Sequence, residues 1–192
     1  MRKLIVSEFV SLDGVMEDPG GAEGTTGGPW ARGLTKEGGK FKFDEVMGSE
    51  ALLLGRVTYE GFAAAWPSMK DEGGFADKMN GMPKYVISKT LGKAEWNNST
   101  VLRGDVLQEV TKLKQNDGGD ILVNGSAQLV ATLMEGNLVD EYRLMVFPVV
   151  LGMGKRMFVN GIERTNLKMT EVIPMGGVAT LILHPADSSR AL

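Results

Sequence analysis

The sequence contains no cysteine, which removes disulfides, thiolate nucleophiles and cysteine-ligated metal centres from consideration. It contains one histidine, His184. A histidine–carboxylate metal site or a Ser-His-Asp triad would depend wholly on that residue, so it is read as structural or solvent-exposed and no metal is expected. Long apolar runs are missing as well. No segment approaches the ~20 residues of a membrane span, and in MRKLIVSEFVSLDG the residues Ser7, Glu8, Ser11 and Asp13 interrupt what would be the core of a signal peptide. A cytoplasmic location without membrane association is the default expectation. Lysine and arginine form no run, and a net charge of −3 carries no nucleic-acid footprint.

What is present is an ordinary globular balance: 192 residues, 43% hydrophobic and 23% charged, enough for one domain with a sizeable core. Residues 1–184 are read as that domain and 185–192 as a frayed tail. Most of the 26 glycines gather at 20–39, 73–74, 118–119, 152–154 and 176–177, between apolar segments, and read as loops and turns.

Lys3 to Val10 is rich in β-branched and aromatic residues and predicts a first strand. Residues 17–39 form a long Gly-rich loop of the kind that serves as a lid or stays disordered. A short helix is expected over Phe41–Gly48, a buried strand at Ala51–Leu54, and a helix from Tyr59 to Ala65. Further strands are predicted at Lys84–Ser88, Thr100–Leu102, Asp120–Asn124 and Asp140–Val150. Between them lie helices from Asp105, a plausible N-cap, to about Lys114, and from Ala127 to Glu135, whose Leu129, Val130, Leu133 and Met134 share one face. Thr170–Ile173 and Val178–His184 flank a Gly176-Gly177 hairpin turn. Alternating strands and helices, then strands alone, predict an α/β sandwich with a mostly parallel sheet and an antiparallel C-terminal edge.

Two places share one design: a short buried strand, a glycine with a small polar residue, and a helix start. They are Gly55-Arg56-Val57-Thr58 and Asn124-Gly125-Ser126. Free amides and the dipole at a helix start attract an anion, and ligands of open parallel sheets bind beyond the carboxyl ends of strands. The bland alternative is a tight turn followed by an ordinary cap. Ser88-Lys89 ends another strand, where a hydroxyl and an ammonium suit a phosphate or are simply exposed. Asp13, at the end of the first strand, and Asp44, on the helix after the loop, are the carboxylates expected at a cleft, as proton relays or substrate ligands. Met47 on the same helix and Trp30 within the loop are candidate substrate contacts; Trp30 reads equally as an anchor that pins the loop.

Leu54-Gly55-Arg56-Val57-Thr58-Tyr59-Glu60 resembles the Gly-Arg-x-Thr-aromatic-Glu motif of dihydrofolate reductases. Ser11-Leu12-Asp13-Gly14 is similar to the Ser-Leu-Asp-Gly of the C-terminal reductase domain of bacterial riboflavin-biosynthesis deaminase–reductases. Val139-Asp140-Glu141-Tyr142, Pro148 and Leu151-Gly152-Met153-Gly154 complete the pattern of stand-alone members of that family.

The resemblance implies a dihydrofolate-reductase-like three-layer sandwich, usually a homodimer, and an NADPH-dependent reductase acting on a small planar heterocycle, pterin- or pyrimidine-like. The alternative is a nucleotide- or pterin-binding protein of the same fold without turnover. It implies that Gly55, Arg56 and Thr58 hold the diphosphate with Asn124, Gly125 and Ser126 opposite. Ser88 and Lys89 would hold the 2′-phosphate, and Asp13 would stand beside the nicotinamide, with the substrate under Trp30 and Asp44. Two departures stand out. The dihydrofolate reductase acid would fall at Gly38-Gly39, and the riboflavin-pathway glutamate before the second glycine turn is Asn124.

Overall fold

The computed structural model describes residues 1–32, 34–71, 73–159 and 163–186. Among these residues eight strands form one sheet: β1 (Leu4–Ser11), β2 (Ala51–Gly55), β3 (Lys84–Ile87), β4 (Ser99–Leu102), β5 (Ile121–Val123), β6 (Glu141–Phe147), β7 (Leu167–Met175) and β8 (Val178–Pro185). Their order is β4-β3-β2-β5-β1-β6-β8-β7. Ladders from β4 to β6 are parallel, while β8 runs antiparallel to both β6 and β7. The expected mixed α/β sandwich with an antiparallel C-terminal edge is the fold found.

Among the described residues five α-helices cover the sheet: α1 (Lys36–Gly48), α2 (Arg56–Ala65), α3 (Phe75–Gly81), α4 (Val106–Gln115) and α5 (Ala127–Glu135). The central strands are buried on both faces, which is why β2 reads as an unbroken apolar run. Leu53, Val123 and Val6 pack with Val110, Leu113, Leu129, Val130 and Leu133 of α4 and α5. Leu52, Leu54 and Ile5 face the other way, onto Val46 of α1, Tyr59 of α2 and Met79 of α3. The alternation along each strand thus divides the core into two layers.

Several boundaries differ from expectation. Helix α1 begins five residues earlier than predicted because the Thr35 hydroxyl accepts the N–H of Gly38 at 3.3 Å and caps it, so Gly38 and Gly39 are helical rather than loop. Helix α3 was not anticipated; it is seven residues long and is started by Asp71, whose carboxylate accepts the amides of Phe75 and Ala76 at 2.9 and 2.6 Å. Asp105 does cap α4, accepting from Gln108 N–H at 3.0 Å. Strand β6 stops at Phe147, before Pro148, short of the expected Val150. Strand β8 runs through Pro185, and Ala186 N–H donates to Asn166 O at 2.9 Å, so the predicted tail is still paired at 185–186; 187–192 lie outside the described residues.

The Gly-rich loop is built around fixed points. The Asp18 carboxylate accepts the amides of Glu23 and Thr25, both at 2.8 Å. The Trp30 indole N–H donates to Glu17 O at 2.7 Å. No helix of the described residues is long and apolar enough to cross a membrane.

Candidate functional site

Strands β2 and β5 are neighbours, but the chain leaves them in opposite directions. After β2, α2 leads toward β3 on one face; after β5, α5 leads over to β6 on the other. Their carboxyl ends therefore form a switch point, where the diverging helices leave a crevice.

The two glycine crossings meet there. Gly55 N–H donates to Gly125 O at 3.2 Å. A Cβ on Gly55 would lie 2.5 Å from Ser126 Oγ, and a Cβ on Gly125, whose φ is +78°, 2.7 Å from Thr58 Oγ1. Each glycine thus exists because the other crossing's hydroxyl presses against it, and the peptide between Gly125 and Ser126 is cis. The hydroxyls of Thr58 and Ser126 thus each lie against the glycine of the opposite crossing. Neither has a hydrogen-bond partner among the described residues, and neither is sealed from the surface. No side chain caps the start of α2 or of α5. Two free helix starts and two unpartnered hydroxyls form one cluster of donors, the chemistry that suits an anionic phosphate.

The flanking residues are placed as follows. Arg56 is exposed and pairs with Glu60 at 2.7 Å one turn along α2. Asn124 donates from its amide to Ser7 O at 2.8 Å, tying β5 to β1. Ser88 is buried, and its hydroxyl accepts the amides of Thr90 and Leu91 at 3.2 and 2.9 Å, so it shapes a turn. Lys89 is exposed at the end of β3, one strand from Gly55.

Behind the crossings, on the α1 face, lies a buried polar cluster that the sequence reading missed. Glu45 is 5% exposed. One of its oxygens accepts from the Ser7 hydroxyl at 2.8 Å and the Lys42 ammonium at 2.5 Å; the other takes Arg143 at 3.4 Å. Lys42 also donates to Ser7 Oγ at 2.7 Å and lies 5.4 Å over the Phe9 ring, and Arg143 pairs with Glu141 at 2.6 Å. On the opposite side of β1, Glu8 accepts Gly125 N–H at 2.5 Å. Burial is the main reason its carboxyl is pushed up to about 8, against the pull of Gly125 and Lys42. A signal was available: Ser7-Glu8 interrupts a strand otherwise buried on both faces, and such polar residues must find partners.

The predicted catalytic and substrate residues need correction. Asp44 is not a buried cleft carboxylate: it is exposed on α1 and paired with Lys40, and the buried carboxylate is its neighbour Glu45. Met47 lies on the same outward face and is 42% exposed. A helix places residues one apart about 100° around its axis, so a one-position error sends a side chain to solvent. Asp13 is at the carboxyl end of β1, but its carboxylate is engaged: it accepts from Ser11 at 2.7 Å, from the amides of Leu151 and Gly152 at 3.1 and 2.9 Å, and from Arg156 at 3.3 Å. The Ser11 hydroxyl first, then Leu151 N–H, hold it well below the usual carboxylate range. It braces the loop after β1 against residues 149–156. Trp30 meets Phe147 edge-on, centroids 5.6 Å apart, and Phe147 meets Phe9 likewise at 5.5 Å. The indole anchors the loop over the end of β6. His184 contacts Asp140 O at 3.1 Å.

Residues 2–181 match the family of the RibD C-terminal domain, and the chain belongs to that family. It is 32% identical over 187 residues to the uncharacterized protein YyaP of Bacillus subtilis, covering 95% of each chain. To the uncharacterized protein YwjB of the same organism it is 27% identical over 168 residues, covering 88% of this chain and 89% of that protein. Its fold resembles that of a Shewanella sp. PV-4 protein named for riboflavin biosynthesis, with a TM-score of 0.73 at 16% identity, over 96% of this chain and 99% of that one. It also resembles dihydrofolate reductase from Enterococcus faecalis, solved with NADP(H) and RAB-propyl, with a TM-score of 0.63 at 15% identity, over 96% and 97%.

Proposed function

We propose that this RibD C-terminal domain is an NADPH-dependent reductase of a small planar substrate. The observation that carries the reading is the pairing of Thr58 and Ser126: two free hydroxyls between two uncapped helix starts, at the switch point of the sheet. These residues, with the amides after Gly55 and Gly125 and the Arg56 side chain, would hold the diphosphate. Lys89 would meet the 2′-phosphate, with Ser88 shaping the turn that presents it. The Enterococcus faecalis relative, which binds NADP(H) on the same fold, supports the assignment.

NADPH supplies a hydride; the protein supplies orientation and electrostatics. Its own groups nearest the task are those of the α1-face cluster. Glu45 and Ser7 fix the Lys42 ammonium above Phe9 and satisfy two of its three protons. The third is left for an acceptor oxygen or nitrogen on the substrate. Glu45 is already neutralised by Lys42 and Arg143, so a substrate here meets a donor rather than a bare carboxylate. Trp30 fixes the loop that borders the space. The expectations of a cytoplasmic location and a homodimer accompany this reading, and sedimentation measures the second.

The test is NADPH oxidation across pterins, pyrimidines, quinones and other cyclic carbonyl compounds. Turnover that is lost in Lys42→Met and keeps its NADPH affinity there supports the reading. NADPH binding without oxidation of any compound would replace it with a non-catalytic binding protein.

A further inference from the structure

Glu8 stands on the α5 side of β1, between Val6 and Val10 of the core, and is 8% exposed. Its Oε1 accepts Gly125 N–H. Its Oε2 makes no hydrogen bond to another described residue. Among those residues only Ser99 Oγ is a fully enclosed side-chain polar atom without a partner, so Oε2 is not completely enclosed.

The charged groups facing Glu8 come from one direction. Lys42 draws it toward ionisation and Glu45 opposes this, both from α1; Arg143 and Glu141 of β6 lie beyond Glu45. Strand β5 contributes Asn124, which is neutral, and the first turn of α5 carries no charged side chain. No charged side chain on the α5 side offsets a carboxylate there; the Gly125 N–H alone favours it from that side. A phosphate drawn to the start of α5 would share the same helix terminus and the same low-dielectric surroundings. Two anions at one such point repel strongly, and the protein relieves this by keeping one of them protonated.

We infer that Glu8 is a proton-linked positioning residue of the second crossing: as the neutral acid it holds Gly125 in place for a dinucleotide phosphate, and as the carboxylate it repels that phosphate. The inference rests on the cofactor reading above and adds to it a stoichiometry. Above the Glu8 titration, each bound dinucleotide takes up one proton from solvent. Burial, which places that titration near 8, puts the effect within reach of experiment.

The test is calorimetric titration of NADPH into the wild-type chain and Glu8→Gln, at about pH 7 and about pH 9.5, in buffers of different ionisation enthalpy. Both conditions lie above the 2′-phosphate's own titration near pH 6. The wild type is expected to bind about tenfold or more weakly at the higher pH and to take up close to one proton there. Glu8→Gln is expected to bind equally at both and to take up none. Proton uptake that is absent in the wild type, or unchanged in Glu8→Gln, overturns the role of Glu8 while leaving the cofactor site standing. No binding by either chain at either pH overturns the cofactor reading itself, and this role with it. Should Glu8→Gln fail to fold, carboxyl 13C NMR of the wild type decides. A Glu8 resonance titrating near 8 and moving higher with NADPH supports the role; one in the ordinary carboxylate range overturns it.

Discussion

The hydroxyl of Thr58 occupies the place where a side chain on Gly125 would begin: a Cβ there would stand 2.7 Å from Thr58 Oγ1. The two crossings are therefore one object, and a change at either is felt at the other.

Gly125→Ala brings that overlap together with a φ of +78°, so it is expected to cost about 1–3 kcal/mol and to abolish NADPH binding. Gly125→Ala with Thr58→Ala should recover part of the stability, since the nearest remaining Thr58 atom would be Cβ at 3.7 Å. Urea unfolding of the two variants checks the order.

Asp44 and Glu45 should respond oppositely to removal. Asp44→Ala deletes an exposed pair with Lys40 and should change stability by less than about 0.5 kcal/mol. Glu45→Ala strands Lys42 beside a buried hydroxyl and leaves Arg143 with Glu141 alone, and should cost about 3–5 kcal/mol. Equal effects in thermal or urea unfolding would contradict the placement of α1.

The Glu8 carboxyl titrates near 4.5 when unfolded and near 8 when folded. A raised acid contributes its stability fully below the lower value and loses it as pH climbs through the higher one, because across that window the folded chain holds the extra proton. The wild type should therefore lose stability relative to Glu8→Gln between about pH 5 and pH 8, by on the order of 3 kcal/mol, and the difference should level off above. Unfolding of both chains across this range gives the curve; parallel profiles would contradict it.

Trp30→Ala removes both the edge contact with Phe147 and the bond to Glu17 O. It should expose the 17–35 loop to protease while leaving the sheet intact. Trp30→Phe keeps packing and forfeits the hydrogen bond, at about 1 kcal/mol. Limited proteolysis timed against circular dichroism separates loop release from global unfolding.

Much of the fold was legible because its signals are local. Ala51–Leu54 and Ile121–Val123 are apolar on both faces, as central parallel strands must be, and Asp105 and Gly176-Gly177 declare a cap and a turn. Helix α3 was not legible, since seven residues carry little periodicity and its start depends on Asp71 four residues before Phe75. The first turn of α1 was hidden by Gly38-Gly39, which Thr35 holds helical. The meeting of Gly55 with Gly125 was anticipated from two strand–glycine–helix turns, but the reason for the glycines, each packed against the other crossing's hydroxyl, arises from contact between segments distant in sequence. Glu8 and Glu45 were not legible, because burial depends on which way a strand or helix turns each side chain. That orientation is a property of packing, and only the interruption Ser7-Glu8 betrayed it in advance.

The central claim is that the two crossings together hold NADPH, and thermal unfolding with added dinucleotide tests it most directly. At about a hundredfold excess over the dissociation constant, NADPH should stabilise the chain by about 2.7 kcal/mol, roughly 5–10 °C in Tm for a domain of this size. NADH, lacking the phosphate that Lys89 would meet, should give a smaller shift, and Gly125→Ala should show none. An unchanged Tm at millimolar NADPH, with the wild-type chain folded, would contradict the account.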